Sequence, residues 1–322
     1  MKYRKLDAKD YAKTNMKGLW AAAMTPFAAD FQLDEAGFRH NLRHWIEDLD
    51  IGGLFISGKQ GEFFSMSLNE RKRTFELAAG EAQGRCSTMM NCSDQNLDNV
   101  IDLAKHAEAI GTDYIVVHAP ILHFLTDVDD TVYEYYRYIS HQTEIGIVMW
   151  SHPDSGYLMS PELCARAAEL PNIVAIKYSV PRDMYTKLTK LAGDKILVST
   201  ASEEEWFDNI VDLGWQLFLS SPAPYLLQTK TDRRMRDYTE LAMRGDIARA
   251  RVVRDSLEPV RQALKSSRPA GKPHAHQKYW QELLGQVGGP VRRPLLQLND
   301  DERAATRAEF ENCGLNLGRV AA

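Results

Sequence analysis

The chain has 322 residues, of which 44% are hydrophobic and 26% are charged, and its formal net charge is −5 at pH 7. This length is sufficient for one large α/β domain or for a barrel with an appendage. The weakly acidic charge gives no basic field to attract nucleic acid or an anionic membrane. No apolar run approaches the roughly 20 residues of a membrane span. The sequence therefore predicts neither a nucleic-acid partner nor a membrane partner.

The N-terminus and the cysteines indicate the compartment. Residues 1–13, MKYRKLDAKDYAK, are charged and lack the apolar core of a signal peptide. The four cysteines (Cys86, Cys92, Cys164 and Cys313) show no CxxC or other ligand spacing. This is the pattern of free thiols in a reducing compartment. We therefore expect a cytoplasmic protein.

Short apolar segments that alternate with amphipathic ones predict a β/α repeat. Eight candidate strands occur, at residues 19–27, 52–57, 87–92, 114–120, 145–153, 173–179, 195–201 and 215–221. Continuous apolar strands suit a parallel sheet that is covered by helices. Eight repeats favour a closed (β/α)8 barrel, a TIM barrel. An open doubly wound sheet is the rival fold, but no GxGxxG motif follows an early strand.

Helix-start signals lie between the predicted strands. Ser67–Glu70 and Ser202–Glu205 both read Ser-x-x-Glu, the pattern of a capping box in which the two side chains satisfy free backbone amides. Ser160 precedes Pro161, which suits an N-cap residue followed by proline at the first helical position. We predict that a helix begins at each of these three sites.

Strand signals stop at about residue 245, and helical signals continue to the end. Residues 245–265 read as a helix because Val253, Leu257, Val260 and Leu264 recur at helical spacing. Two further helices are predicted within residues 276–288 and 300–315. The predicted organisation is an N-terminal arm (1–18), a (β/α)8 barrel (19–244) and a C-terminal helical extension (245–322).

A lysine interrupts the sixth predicted strand, IVAIKYS at residues 173–179. Side chains of a barrel strand alternate between the interior and the helix layer, so Ala175 and Lys177 share the interior face. Lys177 is near the carboxyl end of the strand, where barrel active sites lie. Burial there should lower the pKa of the amine, which Schiff-base chemistry requires. A lysine paired with a carboxylate, or one that reaches out of the barrel mouth, explains this segment equally well.

The loop after the second predicted strand reads Gly58-Lys59-Gln60-Gly61-Glu62. Two glycines three residues apart allow backbone amides to approach a ligand closely and bind an anion. An ordinary βα loop is the alternative. The coincidence of this loop with an interior lysine on the sixth strand favours an active site.

The order of these motifs resembles the dihydrodipicolinate synthase/N-acetylneuraminate lyase family of class I aldolases. The resemblance rests on Thr25-Pro26-Phe27, Gly58-x-x-Gly61-Glu62, Ala175-Ile176-Lys177 and the tail segments GDIARARVV, GGPVRRPLLQL and DERAATRAEF. It covers nearly the whole chain from about residue 18. It implies a (β/α)8 barrel in which Lys177 forms an imine with a 2-oxo acid, typically pyruvate. It also implies that amides of the Gly58–Glu62 loop bind the carboxylate, and that the protein is a homo-oligomer, a tetramer or a dimer.

Two departures from the family pattern concern the site. The family has a Thr or Ser pair between the loop glycines, where this chain has Lys59 and Gln60. It has Tyr-Asn-x-Pro near the end of strand five, and the tyrosine relays protons, whereas this chain has Trp150-Ser151-His152-Pro153. Indole has no acid/base function near neutral pH. These changes argue against the usual route of dihydrodipicolinate synthesis.

Another group must then move protons, and His152 is the best candidate because it shares the strand face of Trp150 and titrates near neutrality. A structural histidine in a loop is its alternative. Lys59 and Gln60 are predicted substrate contacts, although Lys59 has no such role if it points to solvent. Trp150 either stacks on a flat substrate or fills the barrel. His118 is weaker and is assigned to core packing.

We predict a class I lyase, an aldolase or hydratase-aldolase, that acts on a small-molecule 2-oxo acid through a Schiff base at Lys177. The first alternative is a dehydratase of a 2-oxo-3-deoxy sugar acid that uses the same imine. The second is a ligand-binding barrel with little catalysis. No cofactor and no metal are predicted, since the histidines near strands four and five lack a compact ligand spacing with carboxylates.

Overall fold

The computed structural model describes residues 2–124, 126–221 and 224–318, and eight strands occur in this part of the chain. They are β1 Gly18–Ala22, β2 Gly53–Ile56, β3 Ser87–Asn91, β4 Tyr114–His118, β5 Gly146–Ser151, β6 Ile173–Tyr178, β7 Leu197–Ser199 and β8 Leu217–Leu219. Each lies within its predicted segment, except that β1 begins one residue earlier. Every residue of β5 and β6 is buried, because helices and barrel interior cover both faces of such strands.

Helices follow the strands in turn. The arm and the repeats up to β8 contain α1 Ala8–Asn15, α2 Glu35–Arg43, α3 Leu68–Ala82, α4 Leu97–Ala109, α5 Val128–Gln142, α6 Pro161–Ala167, α7 Arg182–Ala192 and α8 Trp206–Leu213. After β8 come α9 Arg234–Met243, α10 Ile247–Ser256, α11 Glu258–Ser266, α12 Pro273–Leu283 and α13 Asp300–Asn312. The predicted C-terminal helical extension is therefore present. Among the described residues, no helix is long and apolar enough to cross a membrane.

The strands form one sheet in the order β7-β6-β5-β4-β3-β2-β1-β8. The two end strands of this order meet, because the backbone amide of Leu219 on β8 donates a hydrogen bond of 2.9 Å to Oγ of Ser199 on β7. The predicted (β/α)8 barrel is therefore confirmed. In such a barrel the carboxyl ends of all strands lie at one end, which is where side chains for catalysis are placed.

The chain packs as two compact units. The first unit contains Met1–Trp20, Gly53–Phe55 and Ser87–Ser220, and the second contains Ala21–Gly52, Ile56–Cys86 and Ser221–Ala322. In the second unit, the tail has a hydrophobic cluster of its own, formed by Ala275, Tyr279, Val291 and Leu298. This cluster joins α12 to the segment before α13. Because burial of a Val or Leu side chain contributes about 1.5–3 kcal/mol, Val291 and Leu298 in particular stabilise the C-terminal extension.

Two of the three predicted helix starts are confirmed. Ser67 caps α3: its Oγ accepts from the amide of Glu70 at 3.3 Å, and the Glu70 carboxylate accepts from the amide of Ser67 at 2.9 Å. Ser160 caps α6, with Oγ accepting from the amide of Leu163 at 3.1 Å. A cap of this kind contributes about 1 kcal/mol to stability.

The capping box predicted at Ser202–Glu205 is wrong. Helix α8 begins at Trp206 and its N-cap is Glu205, which makes no side-chain cap hydrogen bond. The amide of Trp206 instead donates to the backbone carbonyl of Glu203 at 3.1 Å, which closes a turn before the helix. Trp206 and Phe207 are fully buried. Tertiary burial of these rings therefore sets where the helix begins, and the local Ser-x-x-Glu pattern does not.

The helix predicted at residues 245–265 is interrupted. It forms two helices, α10 and α11, and Pro259 lies in the first turn of α11. Proline lacks the backbone N–H that a continuous helix requires and is tolerated in a first turn. Three of the four residues of the predicted apolar stripe, Leu257, Val260 and Leu264, are nevertheless buried.

Candidate active site

Lys177 lies one residue before the end of β6 and is 2% exposed. Its Nζ donates a hydrogen bond of 3.1 Å to the backbone carbonyl of Ser220. The same nitrogen is 5.0 Å from the ring centroid of Phe55 and 5.5 Å from that of Trp150. The amine therefore contacts a carbonyl dipole and lies over two aromatic faces in the first unit.

The strand register places three further side chains level with Lys177. Trp150 on β5 pairs with Lys177, His118 on β4 pairs with Trp150, and Ser199 on β7 pairs with Lys177. Directly paired residues of parallel strands point to the same side of the sheet. We call His118, Trp150, Lys177 and Ser199 the lysine row. It brings together two residues that the sequence singled out, Lys177 and Trp150.

Trp150 lies between His118 and Lys177 in the lysine row. It is 3% exposed, and its ring meets the edges of two others, Phe55 at 5.6 Å and His118 at 4.8 Å between centroids. Its indole Nε1 is buried and has no hydrogen-bond acceptor among the described residues. A buried donor without an acceptor costs about 1–3 kcal/mol. The indole N–H is therefore suited to bind an oxygen atom of a ligand.

His118 is held in one tautomer by its surroundings. Its Nδ1 lies 2.7 Å from the backbone carbonyl oxygen of Ala119, and its own amide donates to Oγ of Ser93 at 2.8 Å. A carbonyl oxygen only accepts, so Nδ1 carries the hydrogen in the neutral ring and Nε2 carries the lone pair. The imidazole thus has a basic nitrogen, and its ring contacts Trp150.

His152 follows β5 and is the N-cap residue of a short 3-10 turn, Pro153–Ser155. Its Nδ1 is 3.2 Å from the amide nitrogen of Asp154 and 3.1 Å from Oδ2 of the same residue. The neutral nitrogen accepts from that amide, whereas the protonated one donates to the carboxylate. The side chain is 28% exposed. Nδ1 of His152 therefore makes a contact within its own turn whether the ring is neutral or protonated.

The Gly58–Glu62 loop belongs to the second unit, where Gly61 lies in a tight space. A Cβ added at Gly61 would be 3.0 Å from the Ala23 carbonyl oxygen and from Cα of Ser57, and 3.2 Å from Oγ1 of Thr25. Backbone atoms do not move aside easily, so a larger residue at this position would strain the loop. The hydroxyl of Thr25 is buried and has no hydrogen-bond partner among the described residues. It is a further polar group available to a ligand.

Lys59 and Gln60 make different contacts within the same unit. The Nε2 of His274 lies 2.9 Å from the backbone carbonyl oxygen of Lys59, and Lys59 itself is half-buried. The side-chain amide of Gln60 donates to Oγ of Ser221 at 2.8 Å, while its Oε1 is buried with no partner among the described residues. The two ends of such an amide are assigned from the hydrogen-bond network. Turned by half a rotation, Gln60 would accept from Ser221 and present a donor instead.

A buried ion pair ties the loop to the C-terminal extension. Oε1 of Glu62 is 2.6 Å from Nζ of Lys278 on α12, and Oε2 accepts from the amide of Arg292 at 2.8 Å. Lys278 also donates to the carbonyl of Pro290 at 2.9 Å. Both charged side chains are almost fully buried. Glu62 has φ of +57°, an uncommon left-handed conformation for this residue type. The ion pair therefore holds a strained residue at the end of the loop.

Burial acts on the titratable groups of α12. It lowers the pKa of Lys278, although Glu62 acts in the opposite direction. Burial also lowers the pKa of His274, and the hydrogen bond to Lys59 opposes this effect only in part. Because the carbonyl of Lys59 only accepts, Nε2 of His274 carries the hydrogen in the neutral ring. His274 and Lys278 are spaced four residues apart, so they lie on one face of α12 and both hold the loop.

The support of the loop by α12 was not predicted from the sequence. His274 and Lys278 lie in the segment PHAHQKYWQEL, in which eight of eleven residues are buried. The one available signal is a lysine directly before Tyr279-Trp280 in the helix, since a lysine beside buried aromatic residues requires a partner. The described residues contain no group of three or more His, Cys, Asp or Glu side chains that could hold a metal ion. All four cysteines are buried as thiols.

The fold and the interior lysine define the class of protein: a (β/α)8 barrel of the class I aldolase type. The sequence matches the Dihydrodipicolinate synthetase family over residues 15–312. The chain therefore belongs to this family, as its motifs predicted. Members of the family are Schiff-base-forming lyases, and the protein is an enzyme of this class.

Two curated relatives span nearly the whole chain. A 4-hydroxy-tetrahydrodipicolinate synthase of Bradyrhizobium diazoefficiens is 26% identical over 306 residues, which cover 94% of this chain and 99% of that protein. A probable 5-dehydro-4-deoxyglucarate dehydratase of the same organism is 25% identical over 309 residues and covers 94% of each chain. The crystal structure of dihydrodipicolinate synthase from Aquifex aeolicus superposes with a TM-score of 0.82 at 22% identity, covering 93% of this chain and 98% of that one. This last likeness establishes the fold.

Proposed function

We propose that the protein is a class I lyase that binds a 2-oxo acid, such as pyruvate or one of its adducts, as an imine at Lys177. The observation that carries this proposal is a buried amine near the carboxyl end of β6, next to the Ser220 carbonyl and the rings of Phe55 and Trp150. Burial disfavours the ammonium form, and a carbonyl and aromatic faces replace only part of its hydration. The neutral amine is the form that attacks a carbonyl carbon.

The proposed sequence has three steps. The amine of Lys177 attacks C2 of the 2-oxo acid, and loss of water gives a protonated imine. The C3–C4 bond then breaks, and its electron pair moves through C2 to the imine nitrogen, which acts as the electron sink. Protonation at C3 and hydrolysis release pyruvate or a similar acid and restore the amine. The same steps in reverse form a carbon–carbon bond.

The remaining predicted site residues have separate roles in this proposal. The N–H of Trp150 donates to an oxygen atom of the substrate. Amides of the Gly58–Glu62 loop, with the side chains of Lys59 and Gln60, bind the carboxylate, and this role remains a prediction from the sequence. It is supported by the confined position of Gly61 and by the polar atom of Gln60 that has no partner. His152 as the proton relay also remains a prediction.

Reductive trapping tests the proposal directly. The protein is incubated with pyruvate and sodium borohydride, and the modified peptide is identified by mass spectrometry. A pyruvate adduct on Lys177 is expected, because borohydride reduces the imine to a stable secondary amine. Partly exposed lysines such as Lys195 serve as the internal reference for non-specific reduction. Equal modification of Lys195 and Lys177, or no adduct on Lys177, contradicts the proposal. Tight binding of a 2-oxo acid without any adduct indicates a ligand-binding barrel instead.

Dehydration of a 2-oxo-3-deoxy sugar acid through the same imine is the second candidate function. It is favoured by the similarity over 309 residues to the probable 5-dehydro-4-deoxyglucarate dehydratase. Product analysis on a panel of 4-hydroxy-2-oxo acids and 3-deoxy-2-oxo sugar acids separates the two reactions. A shortened carbon skeleton supports the lyase that breaks a carbon–carbon bond. Loss of water with the skeleton intact supports the dehydratase.

A cytoplasmic homo-oligomer, a dimer or tetramer, completes the proposal. Four buried thiols suit a reducing compartment. Sedimentation at several protein concentrations tests the assembly, and a monomer at all of them contradicts it.

A further inference from the structure

Cleavage at an imine requires a proton carrier, and the sequence alone predicts His152 for this role. The C4 hydroxyl of the substrate must lose its proton, and C3 of the product must gain one. Trp150 occupies the position where the family has a tyrosine, and indole neither gives nor takes a proton near neutral pH. His152 lies past the end of β5 and outside the lysine row, and its Nδ1 contacts its own turn. Another group near Lys177 must therefore be considered.

We propose that His118 is the catalytic residue that carries this proton, an inference that rests on the proposed function. His118 and Lys177 flank Trp150 in the lysine row. The imidazole packs edge-on against the indole at 4.8 Å between centroids, and the indole centroid is 5.5 Å from Nζ of Lys177. Trp150 therefore lies between His118, the proposed base, and the amine of Lys177, and it packs against both.

The tautomer of His118 suits this role. Nδ1 carries a hydrogen that the Ala119 carbonyl oxygen accepts at 2.7 Å, so Nε2 is the basic nitrogen. When Nε2 gains a proton, the ring becomes positive and the hydrogen bond from Nδ1 becomes charge-assisted, which strengthens it. The backbone carbonyl of Ala119, directly after β4, thus fixes the ring and stabilises the imidazolium. The proton can be accepted and returned without reorientation of the ring.

The distance across the sheet fits the length of a substrate. Neighbouring strands are about 4.8 Å apart, so β4 and β6 are separated by about 10 Å. From the imine nitrogen to the C4 oxygen, a bound 4-hydroxy-2-oxo acid spans four bonds, or about 5 Å. The side chains of His118 and Lys177 project to the same side of the sheet and cover the remainder. The substrate would lie beside Trp150, whose N–H is a donor for its oxygen.

The proton balance closes on this one histidine. Nε2 takes the proton of the C4 hydroxyl while the C3–C4 bond breaks, which gives an aldehyde and the enamine of Lys177. The imidazolium then returns the proton to C3, and the enamine becomes a protonated imine. Water adds to C2 and releases the 2-oxo acid, the amine and the proton taken up when the imine formed. Water is the only other reactant.

Pyruvate alone reports on the proposed base, because interconversion of imine and enamine exchanges its C3 hydrogens with solvent. The experiment measures deuterium incorporation at C3 in D2O by NMR, together with borohydride trapping. His118→Asn is the key variant, since the asparagine amide nitrogen takes the place of Nδ1 and can still donate to Ala119. His118→Gln places an amide at the position of Nε2. His141→Asn, the same change on an exposed residue at the end of α5, is the matched control.

His118→Asn is expected to form the adduct on Lys177 but to exchange C3 hydrogens at least about 100-fold more slowly, the usual contribution of a general base. His118→Gln should behave in the same way, and it replaces His118→Asn if that variant fails to fold. His141→Asn should match the wild type in both measurements. Exchange and trapping thereby separate imine formation from proton transfer.

Three results overturn the assignment of His118. The first is exchange in both His118 variants within about threefold of the wild-type rate. The second is loss of exchange in His152→Gln while the His118 variants retain it, which would assign the proton to His152. The third is a wild-type protein that forms the adduct without exchange. Failure of the wild type to form any adduct is a separate result that contradicts the proposed function itself.

Discussion

Two lysines of this protein are buried to the same extent in different surroundings. Lys177 is 2% exposed and Lys278 is 1% exposed. Lys278 meets the carboxylate of Glu62 at 2.6 Å and lies 4.4 Å from the ring centroid of Phe27. Lys177 contacts the carbonyl of Ser220 and the faces of two aromatic rings. Both ammonium groups lose hydration on burial. The carboxylate near Lys278 compensates for this loss more strongly than the carbonyl and the rings near Lys177 do.

The difference distinguishes a lysine in a structural ion pair from the lysine that we propose to react. A carboxylate favours the ammonium over the amine, so Lys278 is suited to hold two segments of the second unit together. A carbonyl dipole and aromatic faces favour the ammonium less, so Lys177 is suited to react as an amine. The chemistry of a buried lysine is therefore set by the charge of its neighbours more than by its depth.

Replacement of Lys177 should have the largest effect on activity. We expect Lys177→Met to abolish the borohydride adduct and to reduce turnover by at least about 10⁴-fold, as removal of a covalent nucleophile does. Its stability should be equal to or above that of the wild type, because methionine needs no compensation for lost hydration. Turnover, trapping and denaturant unfolding of the same preparation check this. A large loss of stability would assign Lys177 to the structural role of Lys278.

Replacement of Lys278 should have the largest effect on stability. Lys278→Met leaves the carboxylate of Glu62 buried without its cation, which costs about 3–5 kcal/mol of unfolding free energy. Adding Glu62→Gln to this variant should restore part of the loss, since the buried charge is then removed. The control is Lys230→Met, which breaks an exposed ion pair with Asp48 and should cost less than about 1 kcal/mol. Equal losses of unfolding free energy in Lys278→Met and Lys230→Met would contradict the structural role of Lys278.

As the pH falls, α12, which contains Lys278, should lose stability before β6, which contains Lys177. Burial, helped by the charge of Arg268, lowers the pKa of His276 on α12 to about 4. In the unfolded chain His276 becomes protonated below a pH of about 6.5, whereas in the folded chain it stays neutral down to about pH 4. Between these pH values protonation favours the unfolded chain. The free energy of unfolding should therefore fall by about 3 kcal/mol as the pH decreases from about 6.5 to 4. Hydrogen exchange at pH 7, 6, 5 and 4 should show peptides of α12 opening ahead of β6. His276→Gln should flatten the dependence. Simultaneous opening of both regions would contradict this prediction.

A smaller effect is expected at the confined glycine of the loop. Gly61→Ala places a methyl group 3.0 Å from backbone atoms of Ala23 and Ser57, and such overpacking costs about 1–3 kcal/mol. Displacement of the loop should also raise KM for the 2-oxo acid more than it lowers kcat. Gly80→Ala is the matched control, because its methyl group meets no atom within 4 Å in helix α3. It should stabilise the protein by about 0.5–1 kcal/mol. An unchanged KM in Gly61→Ala would exclude the loop from substrate binding.

Much of the fold could be predicted from the sequence because its signals are local. The strands were located by apolar runs, and the caps at Ser67 and Ser160 by residues within one helical turn of each other. Predictions failed where distant residues decide the outcome. The start of α8 is set by burial of Trp206 and Phe207, which a four-residue pattern does not express.

The candidate site shows the same limit. Lys177 was identified because one charged residue stands out in an apolar strand. The pairing of Glu62 with Lys278 joins residues far apart along the chain, and neither residue alone indicates its partner. The tautomer of His118 depends on a backbone carbonyl whose position follows from the exact path of β4. Such contacts form only in the folded chain.

The spacing of His274 and Lys278 on α12 constrains how this chain can change. Each residue shifts direction by about 100° around a helix, so deletion of one position between them would turn one of the two side chains away from the loop. Homologous tails can therefore be exchanged only as segments that preserve this interval. Chimeras that change the number of residues between His274 and Lys278 should lose the contact of His274 with Lys59 or that of Lys278 with Glu62, even when every barrel strand is retained.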